Sequence, residues 1–336
     1  MKTDVKQISF VVTSRNDGET DDELMRLQTF VSSLSAQCDR FHLDAELILV
    51  EWNPPAQKSL LVDAIKWPKP SSACTIRIIQ VPQTIHKRFE NSDVISLFQM
   101  IAKNVGIRRA RGRFVLATNV DILFSNALIQ FLASGQLSPE RMYRIDRHDV
   151  PSIIPPNLSL DDALDWCSLH ILRVYRYLET VDVINGVIPP SRVNENSTIR
   201  KMSNWFRKLE APLHTNACGD FTLLSAEYWM KVAGNPEFPV RAMKLDGLLC
   251  YAAHYAGARE MVLKDPLRIY HLEHPARADG ALVALSGRSS ENQNLQVPLS
   301  QYQAYIDRMR NLHDSIIFNN LNWGLADETL PETIIT

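Results

Sequence analysis

Apolar runs alternate with segments of helical spacing through the first 145 or so residues. Ile8-Ser9-Phe10-Val11-Val12-Thr13 is a short, nearly continuous apolar run, the pattern of a strand buried on both faces. Thr20 and Glu23 are spaced as a capping box, and Leu24, Leu27, Val31 and Leu34 follow at helical spacing. Ala45–Val50 predicts a second strand, ended by Glu51 and stopped at Trp52-Asn53-Pro54-Pro55. A short helix is expected around Leu60–Ile65, a third strand at Thr75–Val81 and a helix around Leu97–Ala110. Arg113–Phe124 carries a fourth apolar run, interrupted by the polar triplet Asn119-Val120-Asp121, and Ser125 can cap a helix through Leu132. This succession predicts an α/β fold with a doubly wound, mostly parallel central sheet flanked by helices.

After a strand at Met142–Ile145 the rhythm breaks. A helix near Leu160–Leu178 is the one regular element expected before about residue 216, and 187–215 reads as a mobile, substrate-gating loop. Helices are expected near Ser225–Val232 and from Asp246 onward, with Asp246 as a helix N-cap. A late strand, Leu267–His271, and a C-terminal helix over 298–318 complete the prediction.

Composition narrows the class. The 336 residues are 45% hydrophobic and 22% charged, with a net charge of −2, as in an ordinary soluble protein with no global field for nucleic acid or anionic lipid. No apolar stretch approaches the length of a membrane span, and Met1–Lys6 leads into a strand without the apolar core of a signal peptide. Five scattered cysteines without C-x-x-C spacing predict reduced thiols and a cytoplasmic chain. The glycosylation sequons at Asn157 and Asn196 then read as chance matches.

Several chemistries are excluded by their motifs. The chain contains no G-x-G dinucleotide fingerprint, no P-loop and no G-x-S-x-G nucleophile elbow. What remains is the polar triplet at a strand end, where open α/β sheets bind their ligands. A carboxylate there can hold a divalent cation against a diphosphate, although strand-ending Asx turns are common.

At this point the residues resemble a family. Val11–Asp17, Glu51, and the stretch Lys103–Phe114 with its N-x-G-x-x-x-A-x-G spacing (Asn104, Gly106, Ala110, Gly112) ahead of Asp121 resemble the donor half of GT-A glycosyltransferases. Gly219-Asp220-Phe221, Gly234-Asn235-Pro236-Glu237, Leu245–Leu249 and Gly257 resemble the acceptor half of galactosyltransferase-like members. The resemblance covers about residues 5–275: a donor half to about 146, an acceptor half beyond it, and an extension over 276–336 with one helix.

It implies transfer of a sugar from a nucleoside-diphosphate donor, UDP first and GDP as the alternative, to a hydroxyl of a glycan or glycolipid. It also implies a divalent cation, Mn²⁺ or Mg²⁺, on Asp121 and His271, with His274 as the competing ligand. Asn119 stands where the family usually has the first Asp of its DXD motif, and would touch ribose or a metal-bound water. Asp246 matches the catalytic base of inverting members, with Leu245 replacing the usual preceding acid. Thr13, Arg15, Glu51, Asn104, Arg109, Asn119 and Val120 are implied around the nucleotide sugar, with Asp93 a further candidate. Asp220 and Trp205 are the expected sugar or acceptor contacts. Arg108, Arg109, Arg111 and Arg113 form a basic cluster, of which at least two are expected to be solvated. A retaining transferase and an inactive nucleotide-sugar-binding protein are the alternatives. Peripheral membrane contact is compatible with these expectations; nucleic-acid binding is not expected.

Overall fold

Strands buried along their whole length alternate with amphipathic helices, as the apolar pattern requires. The computed structural model describes residues 5–18, 22–71, 73–189, 212–274 and 295–335. Thr20 of the expected capping box, the Asn196 sequon, Trp205 and most of the expected loop lie outside these.

The first elements are β1 (Lys6–Ser14), α1 (Asp22–Phe41), β2 (Ala45–Trp52), α2 (Leu61–Ala64), β3 (Cys74–Val81), α3 (Gln83–His86) and α4 (Gln99–Arg108). Then come β4 (Gly112–Thr118), β5 (Ile122–Phe124), α5 (Asn126–Ala133), β6 (Arg141–Ile145), β7 (Arg147–Val150), α6 (Leu160–Leu169), β8 (Arg173–Tyr175) and β9 (Thr180–Asp182). A 3₁₀ turn (Cys218–Asp220) leads into β10 (Phe221–Ser225), α7 (Ala226–Lys231), α8 (Leu245–Tyr255), β11 (Arg259–Leu263), β12 (Ile269–Leu272), α9 (Leu299–Leu312) and β13 (Glu332–Ile335).

The main sheet has eight strands in the order β11-β6-β10-β4-β1-β2-β3-β13. The β1/β2, β2/β3, β1/β4 and β6/β11 pairs are parallel, while β10 and β13 run antiparallel to their neighbours. The fold is therefore α/β with a mostly parallel sheet flanked by helices. Phe10, Phe30 and Phe124 meet under α1 with ring centroids 5.6 and 6.2 Å apart, each burial being worth roughly 1.5–3 kcal/mol. On the other face α4 lies close to the sheet because Gly106 has no side chain. A Cβ there would come within 2.6 Å of Val11 Cγ1.

A second sheet, β5-β12-β7-β8-β9, packs beside the first. It corrects two expectations. The helix expected to run to Leu178 stops at Leu169, and β8 and β9 follow it. Short, half-exposed strands such as Thr180–Asp182 lack the apolar alternation that would reveal them. The C-terminal extension also holds more than a helix. After α9, which packs on α8, the chain returns along α4 and adds β13 to the edge of the main sheet. Among the described residues no helix is long and apolar enough to cross a membrane.

Candidate functional site

Asp121 sits just beyond the end of β4, at the entrance to β5. The antiparallel β5/β12 pair sets Ile122 opposite His271, and Leu272 N donates to Asp121 O at 2.9 Å. That register delivers the end of β12 to Asp121 from more than a hundred residues away. Asp121 Oδ2 lies 2.9 Å from His274 Nε2 and 3.7 Å from His271 Nε2. Ligand atoms of the three residues all lie within 4.8 Å of one another. Both candidate histidines thus join the cluster, where the sequence reading set one against the other.

Burial by itself would raise the Asp121 pKa, but the two imidazoles outweigh it and hold the carboxyl well below the aspartate range. Burial opposes protonation of His271, yet the carboxylates of Asp121 and Asp149 push its pKa up to about 10. The second oxygen of Asp121, Oδ1, is buried and has no hydrogen-bond partner. A carboxylate oxygen without a donor beside two imidazoles is a donor set that could hold a cation. One carboxylate with two imidazole nitrogens fits Mn²⁺ better than Mg²⁺, which favours oxygen ligands.

Behind the cluster runs a chain of charged partners. His271 Nδ1 meets Asp149 Oδ1 at 3.0 Å, the arrangement that orients a metal-binding imidazole. Arg147 joins Asp149 (2.8 Å) to Asp220 (2.7 Å), with its guanidinium 3.9 Å over the Tyr175 ring. Asp220 Oδ1 then accepts from Asn119 Nδ2 at 2.6 Å, and Asn119 Oδ1 accepts from Gln99 at 2.9 Å. The amide of Asn119, expected at the ribose or a metal-bound water, is thus engaged at both ends within the chain. Asp220 is likewise engaged, by Asn119 and Arg147, while Val120 packs against the apolar core.

Asp246 lies in the first turn of α8. It is not the N-cap expected from the sequence, because the cap falls two residues earlier, on Lys244 at φ 75°. Its partly buried carboxylate accepts from Gly247 N at 2.9 Å. Burial raises its pKa against the opposing pull of the Cys218 thiol, Gly247 N–H, Lys103 and Arg144. Lys103, 1% exposed, donates to Gly219 O at 2.8 Å. Burial lowers its pKa, against the attraction of Asp220, Asp246 and Asp121. The sequence reading assigned no role to Lys103, Arg147 or Asp149. The available signals were a Lys-Asn pair inside an otherwise apolar helix, and charges two apart in a strand.

The other expected residues have these places in the fold. Asn104 is fully buried and bonded to Asn235 and Glu237. Arg109 donates to the carbonyls of Gly324, Leu325 and Glu328, so it clamps the C-terminal segment. Glu51, expected at the nucleobase, is fully buried and accepts from Leu61 N at 2.8 Å at the start of α2. Burial raises its pKa. Thr13 and Arg15 lie at the carboxyl end of β1, donating to Val50 O (3.1 Å) and Ser96 O (3.0 Å). Asp93 is exposed in the turns before α4, and Arg111 and Arg113 are exposed. Trp229 is core, its indole donating to Val115 O.

No protein-family model and no curated protein matches the chain. It is similar to the crystal structure of GalNAc-T7 with UDP, GalNAc and Mn²⁺, at 12% identity and TM-score 0.47, covering 95% of this chain and 53% of that one. The chain thus spans about half the length of that protein. It is also similar to S. aureus TarS 1–349 in complex with UDP (13% identity, TM-score 0.42, 91% and 71% covered). The same TarS fragment with UDP-GlcNAc gives 13% identity and TM-score 0.44, with 91% and 72% covered. At such identities and scores neither fold nor function rests on these likenesses, and both are read from the chain's own residues.

Proposed function

We propose that the protein is a GT-A-type glycosyltransferase that moves a sugar from a nucleoside-diphosphate donor, UDP-linked in the first instance, to a glycan or glycolipid hydroxyl. One observation carries this reading: Asp121, His271 and His274 converge at the carboxyl ends of the sheet, with the orphaned Asp121 Oδ1 among them. A divalent cation bound by these three would act as a Lewis acid, neutralising charge on the departing diphosphate.

Asp246 takes the proton of the acceptor hydroxyl as that oxygen attacks the anomeric carbon, and the configuration inverts. A carboxyl pKa raised by burial brings this base closer to the working pH, which favours general-base catalysis. Asp149 keeps the Nε2 of His271 facing Asp121, and Arg147 keeps Asp149 and Asp220 in place. Thr13 and Arg15 are the remaining candidates for the nucleoside.

A thermal-shift and calorimetry panel of UDP, GDP and their sugars, with and without Mn²⁺, tests the reading. A donor at one hundred times its dissociation constant stabilises the fold by about 2.7 kcal/mol. The expected outcome is a Mn²⁺-dependent shift with a uridine nucleotide. No shift with any nucleotide, with or without metal, would overturn the proposal. NMR of the product anomer separates inversion from retention. Donor binding without transfer or hydrolysis would favour a binding protein, a reading that the single acid of the N-x-D triplet keeps open.

A further inference from the structure

We infer that Lys103 is a positioning residue for Asp246, acting through the peptide of Gly219, and that residue 219 is glycine because the carboxylate of Asp246 fills the space of a side chain. The inference rests on the reading of Asp246 as the base. Lys103 Nζ holds Gly219 O at 2.8 Å from a helix fixed against the sheet by Gly106. On its other side, a Cβ added to Gly219 would lie 2.9 Å from Asp246 Oδ2. The Gly219 peptide therefore lies between the Lys103 ammonium and the Asp246 carboxylate.

A buried ammonium is costly unless carboxylates surround it. Here the surrounding acids are Asp220, Asp246 and Asp121, which belong to the proposed base and to the proposed metal cluster. The groups facing Asp246 are the Cys218 thiol from the 3₁₀ turn, Lys103 from α4, Arg144 from β6 and Tyr302 from α9. Cys250, on the same helix as Asp246, lies beside Cys218 and Tyr302. Of the two cations, Arg144 is already bonded to His214 O, Cys218 O and Thr222 Oγ1. Among the described residues the Lys103 ammonium donates to Gly219 O, and Asp121 also attracts its charge. The ammonium favours the ionised form of Asp246, the form that can accept a proton. Removing it leaves Asp246 protonated to higher pH, so the acidic limb of the rate profile moves to higher pH.

The test compares kcat against pH, and donor affinity by calorimetry, for the full-length wild type, Lys103→Met, Lys103→Arg, Gly219→Ala and Asp246→Asn. Lys103→Met is expected to displace the acidic limb upward by roughly one pH unit, about tenfold in rate on that limb, with donor affinity little changed. Lys103→Arg should restore part of the displacement, and Gly219→Ala should lower kcat while donor still binds. An unmoved limb in a folded Lys103→Met variant overturns the inference. Should that variant not fold, full kcat in Gly219→Ala overturns it. Normal turnover by Asp246→Asn signals a different failure, that of the base assignment itself. Collapse of Asp246→Asn with an unmoved Lys103→Met limb rejects the role of Lys103 alone.

Discussion

Two polar clusters of the molecule differ in one respect: the one around Asn104 is closed and the one around Asp121 is open. Around Asn104, every partner finds a partner. Its amide donates to Asn235 O (2.8 Å) and Glu237 Oε1 (3.0 Å), and its oxygen accepts from Asn235 N (2.8 Å). Glu237 also accepts from Gly324 N, and Asn319 closes the ring through Asn235 O. Around Asp121, by contrast, one buried carboxylate oxygen is left without a donor beside two imidazoles. Buried polar groups are nearly always paired, and the exceptions call for a ligand or a catalytic reason. The closed cluster holds the fold together, and the open one is where we propose that the ligand binds.

The sharpest way to break this contrast is Asp121→Ala. Transfer should fall to background and Mn²⁺ binding, followed by calorimetry, should disappear, while the metal-free protein keeps its fold. Next in size is Asn104→Ala, which strands the Asn235 N–H and Glu237 in a dry interior. The expected loss is on the order of 2–4 kcal/mol of unfolding free energy, read from denaturant titration, with Mn²⁺ affinity unchanged. If the alanine at 104 weakened metal binding and the alanine at 121 destabilised the fold, the assignment of roles would be reversed.

The contrast also explains what could be read from the sequence. Fully buried strands such as Phe10–Val12 and Leu47–Val50 are legible because they have no polar face. Motif residues were legible as a pattern but not as a division of labour. Asn104, Gly106 and Gly112 belong to packing: a Cβ on Gly112 would meet Ser9 N at 2.5 Å. Asp121, His271 and His274 form the cluster for which we propose a cation. Nothing in spacing along the chain separates these roles, because the separation depends on which lone pairs stay unpaired after folding. Asp149 was invisible for a related reason. Its importance comes from the β7/β12 register that pairs it with His271, a contact between strands more than a hundred residues apart.

Asp149→Asn sharpens the contrast from within the open cluster. The amide keeps the shape but loses the charge that orients His271, and metal affinity should fall about 10- to 100-fold. Mn²⁺ titration measures it, and stability without metal should change much less than in Asn104→Ala. An unaltered Mn²⁺ affinity would remove Asp149 from the site.

The smallest effect expected lies at the far end of the closed cluster, where the C-terminal segment is fastened. Glu332 pairs with Arg77 at 2.7 Å, and Arg109 holds the carbonyls of Gly324 and Leu325 on the same segment. The Arg77 hydrogen bond lowers the Glu332 pKa against the opposing effect of burial. A carboxyl with a lowered folded pKa adds stability that is present above its unfolded pKa and lost as pH falls through the folded one. Glu332→Gln should therefore lower the melting temperature slightly near neutral pH and make no difference once pH has fallen below the glutamate range. Because Glu332 is largely exposed, solvent screening keeps the effect small. Its value is in where it stops: the segment reaches the Asn104 ring through Gly324 N and Glu237, while Asp121, His271 and His274 form a separate cluster. Melting curves of the two proteins at neutral and acid pH, each with and without Mn²⁺, should differ in the stability of the metal-free fold and agree in the metal-induced shift.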